Sequence, residues 1–196
     1  MSADRDRWAR AGGSETLPPH NEAAEARVLG ALLIIGSIET GDPDAGAAAI
    51  AEQVVARLRV DDFSREWHRQ VYRAILRAKR SGPWGYQAVC RALEDAGHLQ
   101  QRQEQGDVAG LVSAPANIAL TLDDVEAVRD AAIRRDLLRV SGDIAAAAYR
   151  PSAGRAVAEA QAWLEKVAGR LDAPIPSHSA GPTLVTAWRQ AVEIPE

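Results

Sequence analysis

A single cysteine, Cys90, stands in 196 residues, so no internal disulfide can form and the chain suits a reducing cytoplasm. Lysine is nearly absent: only Lys79 and Lys166 occur, preceded by Ala78 and Glu165. A phosphate-binding loop needs a glycine-rich turn ending in Gly-Lys-Ser/Thr, and neither lysine has that context, which excludes nucleotide hydrolysis on this motif and any nucleotide cofactor bound through it. Long apolar runs are missing too. The longest, Val28 to Ile35, is broken by Gly30 and falls far short of the roughly 20 residues that span a bilayer. No basic, apolar, small-residue pattern of a signal peptide opens the chain. The four histidines, His20, His68, His98 and His178, are scattered without Cys or His neighbours at metal-ligand spacing, so no metal site is expected. No general acid–base pair or nucleophile can be nominated, and Cys90 reads as a small buried hydrophobe. A net charge of −4 argues against wholesale polyanion binding, leaving DNA a secondary partner at most.

Phe and Met occur once each, and the apolar content comes largely from alanine, which suits close helix–helix contact. Met1 to Thr16 is polar and without periodicity and is read as a disordered leader over residues 1–16. Pro18 and Pro19 then fix an extended entry, Asn21 is placed to cap, and Ala24, Val28, Leu29, Leu32 and Ile35 follow at helical spacing. A second helix is expected over Ala45–Leu58. A third is expected to start at a Ser64 cap and present His68, Val71, Tyr72 and Ile75 on one face until Gly82-Pro83. Tyr86, Val89, Cys90 and Leu93 mark a fourth, and Gly106 to Val112 a short fifth. From Asp123 the spacing alternates between three and four through Ile133, Leu137, Val140, Ile144 and Ala148. After a break at Tyr149-Arg150-Pro151-Ser152 it resumes through Val157, Ala160, Leu164, Val167 and Leu171. The expected fold is all-α: a small orthogonal helical bundle over 17–121, a long antiparallel helical hairpin over 122–171, a linker over 172–183 and a short amphipathic helix over 184–193.

The segment Pro19-His20-Asn21-Glu22-Ala23-Ala24-Glu25-Ala26-Arg27-Val28-Leu29-Gly30-Ala31-Leu32-Leu33 resembles, without gaps, the opening of the N-terminal domain of DnaB-type replicative helicases. Phe63 with His68, Tyr72 and Ile75 is similar to that family's next helix, and Leu93 with Gly97 to the one after. Val128-Arg129-Asp130-Ala131-Ala132-Ile133-Arg134-Arg135-Asp136-Leu137-Leu138 resembles its first hairpin helix. The similarity spans about Leu17 to Leu171. It implies a helical bundle plus a hairpin, in which hairpins pair subunits, pairs build a ring-shaped collar, and the collar receives primase and regulates the helicase motor. The family's chain continues through a linker helix into a RecA-like ATPase, and Leu184 to Val192 sits where that linker helix would lie. Two departures from the family pattern stand out. Gly82-Pro83-Trp84-Gly85 replaces a turn that usually carries Asp, and Asp124 stands where a Tyr often opens the hairpin.

The expectation is therefore a binding module rather than a catalyst: a homo-oligomer, dimer or ring, that engages primase, helicase or helicase loader in the cytoplasm. The alternative is a piece of a full ATP-dependent DNA helicase whose motor lies beyond the C-terminus. Ile133, Leu137, Leu138, Val140, Ile144, Trp163, Leu164 and Val167 are the candidate oligomer interface, because a two-helix hairpin alone buries little apolar area. Arg65, Arg69, Arg73, Arg77 and Arg80 recur at helical spacing. A solvated face is favoured for this basic stripe over a contact with DNA phosphates or an acidic protein. Trp188 in the tail is a candidate docking residue.

Overall fold

A computed structural model describes residues 17–38, 45–99, 102–113 and 121–171. The leader, the linker and the last expected helix with Trp188 lie outside these residues. Among the described residues the chain is helical throughout, with no strand. Its elements are α1 (Glu22–Ile38), α2 (Ala45–Arg57), a 3-10 turn (Val60–Asp62), α3 (Glu66–Ser81), α4 (Tyr86–Asp95), α5 (Arg102–Ser113), α6 (Thr121–Ala148) and α7 (Ala153–Leu171). No helix is long and apolar enough to cross a membrane among these residues.

The first helix organises the bundle. Asn21 Oδ1 accepts the Ala24 N–H at 3.1 Å, which supplies the expected cap, and the acidic Glu22 and Glu25 stand in the first turn, at the positive end of the helix dipole. Ala24, Val28, Leu29, Leu32, Leu33 and Ile35 are all buried, and α1 packs against α2, α3, α4, α5 and α6. A helix enclosed in this way is apolar on nearly every side rather than on one stripe. α3 is the opposite case: Val71, Tyr72 and Ile75 point inward, and arginines cover its outer face. Phe63 and Tyr72 meet with ring centroids 4.8 Å apart, and the Tyr72 hydroxyl donates to the Leu58 carbonyl at 3.2 Å. Gly82 ends α3 at φ 132°, a conformation that side chains rarely adopt.

Two starts differ from expectation. Ser64 does not cap α3, which begins at Glu66 after Arg65. The Ser64 N–H donates to the buried Glu25 carboxylate at 2.7 Å, which supplies one of the donors that an enclosed carboxylate needs. α5 begins at Arg102, ahead of Gly106.

The unusual Gly82-Pro83-Trp84-Gly85 turn has a packing role. Trp84 is buried against α1 at Gly36, where an added Cβ would lie 2.7 Å from the indole and from the Trp84 carbonyl oxygen. Lys79 lies 5.1 Å from the centre of the same ring and pairs with Glu52 of α2 at 2.7 Å.

α6 and α7 form the hairpin, turning at Tyr149–Ser152; the Ser152 carbonyl accepts the Ala156 N–H at 3.1 Å as α7 begins. Among the described residues there are two apolar clusters, and α6 serves both. Val125 and Val128 belong to the bundle core, whereas Ile133 and Val140 meet Val167 of α7 in a small second cluster. The first turns of α6, the first helix of the hairpin, thus also contribute to the bundle core.

Candidate interface: the hairpin and its footing

The seam between α6 and α7 is thin. Ile133, Val140 and Val167 are buried in it, with Ile144 and Trp163 partly covered beside them. Val167 is the one buried residue of α7 among those described. Of the expected interface residues, Leu137, Leu138 and Leu164 lie outside the seam, exposed to 45%, 57% and 46%. Val157 and Leu171 are exposed as well, and with Leu164 they repeat every seven residues along α7. The hairpin therefore closes a small core of its own and leaves these aliphatic side chains exposed to solvent.

The base of the hairpin stands on the 3-10 turn through a cluster of ions. The Arg170 guanidinium, at the end of α7, donates to both the Asp62 and the Asp136 carboxylates. Asp62 is only 1% exposed, and its second oxygen accepts the Arg59 N–H at 2.8 Å. Asp136 also accepts from Arg139 at 2.7 Å. Burial pushes the Asp136 carboxyl up, but the hydrogen bonds from Arg139 and Arg170 outweigh it and hold the group below its ordinary range. The Arg170 carbonyl in turn accepts from Arg129 of α6. Arg135 reaches across the junction to the Pro19 carbonyl at 2.8 Å and the Asp62 carbonyl at 2.5 Å, and burial lowers its pKa. These groups line a cleft of about 680 Å³ between turn and hairpin. Its central cations and carboxylates already satisfy one another, which makes it a footing rather than a reaction pocket.

Further up α6, Asp124 binds Arg27 of α1 through both oxygens, at 2.6 and 2.9 Å. This accounts for the acidic residue at a position where the family often has Tyr: a bidentate pair ties the hairpin's first helix to the central helix of the bundle. The pair raises the Arg27 pKa through the Asp124 hydrogen bond.

Beneath the junction, Glu25 and His68 form a buried pair at 2.7 Å. Burial pushes the Glu25 carboxyl up, yet the hydrogen bonds from His68 and Ser64 prevail and leave it below its ordinary value. The helical spacing places His68 on the inward face of α3 but does not name its partner. The signal was present: Glu25 falls in the same helical register as Val28, Leu29 and Leu32, and a carboxylate there requires donors. Arg170 and Asp62 carry no comparable signal, being 108 residues apart without periodic relation.

The basic stripe is only partly free. Arg65 pairs with Glu22 at 3.2 Å, and Arg69 and Arg73 share Glu66 at 3.2 and 3.1 Å. Arg69 also donates to the Phe63 carbonyl at 2.8 Å, which fixes the α3 start. Arg77 and Arg80 are exposed and have no carboxylate within ion-pair distance among the described residues. Cys90 is buried among the core side chains, and burial raises its thiol pKa, which the hydrogen bond with Tyr86 partly offsets. No group of three or more His, Cys, Asp or Glu side chains among the described residues is arranged to hold a metal ion.

A helical bundle with a hairpin seated on it is the arrangement that the sequence similarity implied. The family model described as DnaB-like helicase N terminal domain matches residues 17–130, more than half of the chain. The chain belongs to the DnaB-like helicase N-terminal domain family. In three dimensions the DnaB-like domain is similar to the crystal structure of the N-terminal domain of DnaB helicase from Mycobacterium tuberculosis, with 29% sequence identity and a TM-score of 0.65. The match covers 77% of this chain and 99% of that one. The matched region is the helicase's N-terminal domain, not its ATPase motor, and the all-α fold agrees with it.

Proposed function

We propose that this DnaB-like domain is a self-associating collar element of the replication machinery, whose hairpin packs against the hairpin of a second copy and whose assembled form engages primase, helicase or helicase loader. The observation that carries this reading is the exposure of the aliphatic side chains Leu137, Leu138, Val157 and Leu164 on a hairpin that buries little within itself. Fully covering one leucine side chain contributes about 1.5–3 kcal/mol, so a few of them on each of two subunits can hold a dimer together. DNA is a secondary partner in this reading, and a cytoplasmic setting is part of it. The reading holds whether the domain acts by itself or as the front part of a longer ATP-dependent helicase, two cases that the reading frame after Glu196 separates.

Analytical ultracentrifugation of the wild type and of a Leu138→Glu, Leu164→Glu variant tests it. The wild type should sediment as a dimer or larger ring and the variant as a monomer with unchanged circular dichroism. A wild type that stays monomeric at the highest attainable concentration defeats the proposal.

A further inference from the structure

A groove of about 960 Å³ runs between the first turns of α1, the first turns of α3 and the side of α5, remote in function from the hairpin. Its apolar lining is Ala23, Ala26, Trp67 and Leu111, and Trp67 is only partly covered. Its rim carries three carboxylates, Glu22, Glu66 and Asp107, against one cation, Arg65. Arg65 serves Glu22, and Glu66 is shared by Arg69 and Arg73 on the outer face of α3. Asp107 is exposed and has no ion-pair partner among the described residues. An apolar lining that includes an indole, beside one carboxylate without an ion pair among the described residues, suits an aromatic side chain next to an arginine.

The chain carries that pattern close by. Arg7-Trp8-Ala9-Arg10 lies in the sixteen residues that lead to Leu17, and the wall of the groove is the start of α1 at Glu22, Ala23 and Ala26. The stretch between Trp8 and Glu22 spans up to about 45 Å at roughly 3.3–3.6 Å per residue, far more than the groove requires. We propose that residues 7–10 of the same chain occupy this groove, with the Trp8 indole on Trp67 and Leu111 and with Arg10 facing Asp107. A tethered segment meets the site at an effective concentration on the order of millimolar, which favours the chain's own segment over that of a second copy. This inference does not depend on the hairpin reading.

Fluorine NMR of the full chain labelled with 5-fluorotryptophan tests it, the Trp67 line being assigned with Trp67→Phe. Removing residues 1–16, or replacing Trp8 by Ala, should move the Trp67 line by the same amount at every protein concentration. Asp107→Arg should move it likewise, and Arg10→Glu added to that variant should restore the original position. A Trp67 line indifferent to Trp8 and to the leader overturns the proposal. So does a displacement that appears only as concentration rises, which would assign the groove to a second copy.

Discussion

At Glu25 a carboxylate 1% exposed is held by His68 and by the Ser64 N–H, and its pKa lies below the ordinary 4.5. A carboxyl depressed on folding adds stability that is complete above its unfolded value and disappears as the pH falls through its folded value. Glu25→Gln should therefore cost about 1–3 kcal/mol at neutral pH, since Ser64 and His68 lose a charged acceptor. The gap to wild type should narrow once the pH drops below 4.5, as the native carboxyl protonates too. Urea titrations across that range check both the size and the sign. Gly36 poses a different balance. Alanine in a helix interior gains about 1 kcal/mol over glycine, but here its Cβ would sit 2.7 Å from a backbone oxygen as well as from the indole of Trp84. Neither yields easily in a closed core, and overpacking costs about 1–3 kcal/mol. Gly36→Ala should lower the denaturation midpoint, and an unchanged or raised midpoint would show that the turn at Trp84 gives way freely.

Among the elements, α7 contributes nothing to the bundle core. It packs along α6 through a seam of three buried residues, while its grip on the bundle is Arg170 on Asp62. Removing one partner of a buried pair leaves the other uncompensated and costs about 3 kcal/mol. The loss should stay local, because no buried residue of the bundle core comes from α7. Arg170→Ala should thus raise amide exchange across residues 153–171 and leave α1 and α3 protected; a uniform increase over the whole chain would contradict the idea of a separately latched arm. The helices themselves were legible in the sequence, since apolar spacing in α3 and α4 and the three-four alternation in α6 and α7 report which face turns inward. Leu137 and Leu164 show where spacing stops: both fit the heptad alternation, yet a two-helix seam is narrow enough to leave them in solvent. Trp163, one position from Leu164, takes the place beside Val140 and Val167 instead. Contacts such as Arg27 with Asp124 join residues 97 apart, and no local pattern announces them.

For the molecule as a whole, the decisive fact is that α6 is continuous across two cores. Val125 and Val128 complete the bundle around α1, and Arg135 ties the same helix to Pro19 and to the 3-10 turn. The bundle is therefore incomplete without roughly the first half of α6, even though the change of sequence pattern suggests a division near residue 121. This agrees with the family match, which runs to residue 130, well inside the helix. Continuity also has a mechanical meaning. A stiff helix that is core at one end and projects at the other transmits the orientation of whatever its far end binds, since no loop intervenes to absorb a rotation. Two truncations distinguish a continuous unit from two joined domains. A chain ending at residue 120 should expose Val28, Leu32 and their neighbours, bind a hydrophobic dye and unfold without a sharp transition. One ending at residue 140 keeps Val125, Val128 and Arg135 and should unfold cooperatively, with the loss confined to the α7 seam and the Arg170 latch. Equal cooperativity in both fragments would mean that the bundle closes by itself and that α6 is merely attached to it.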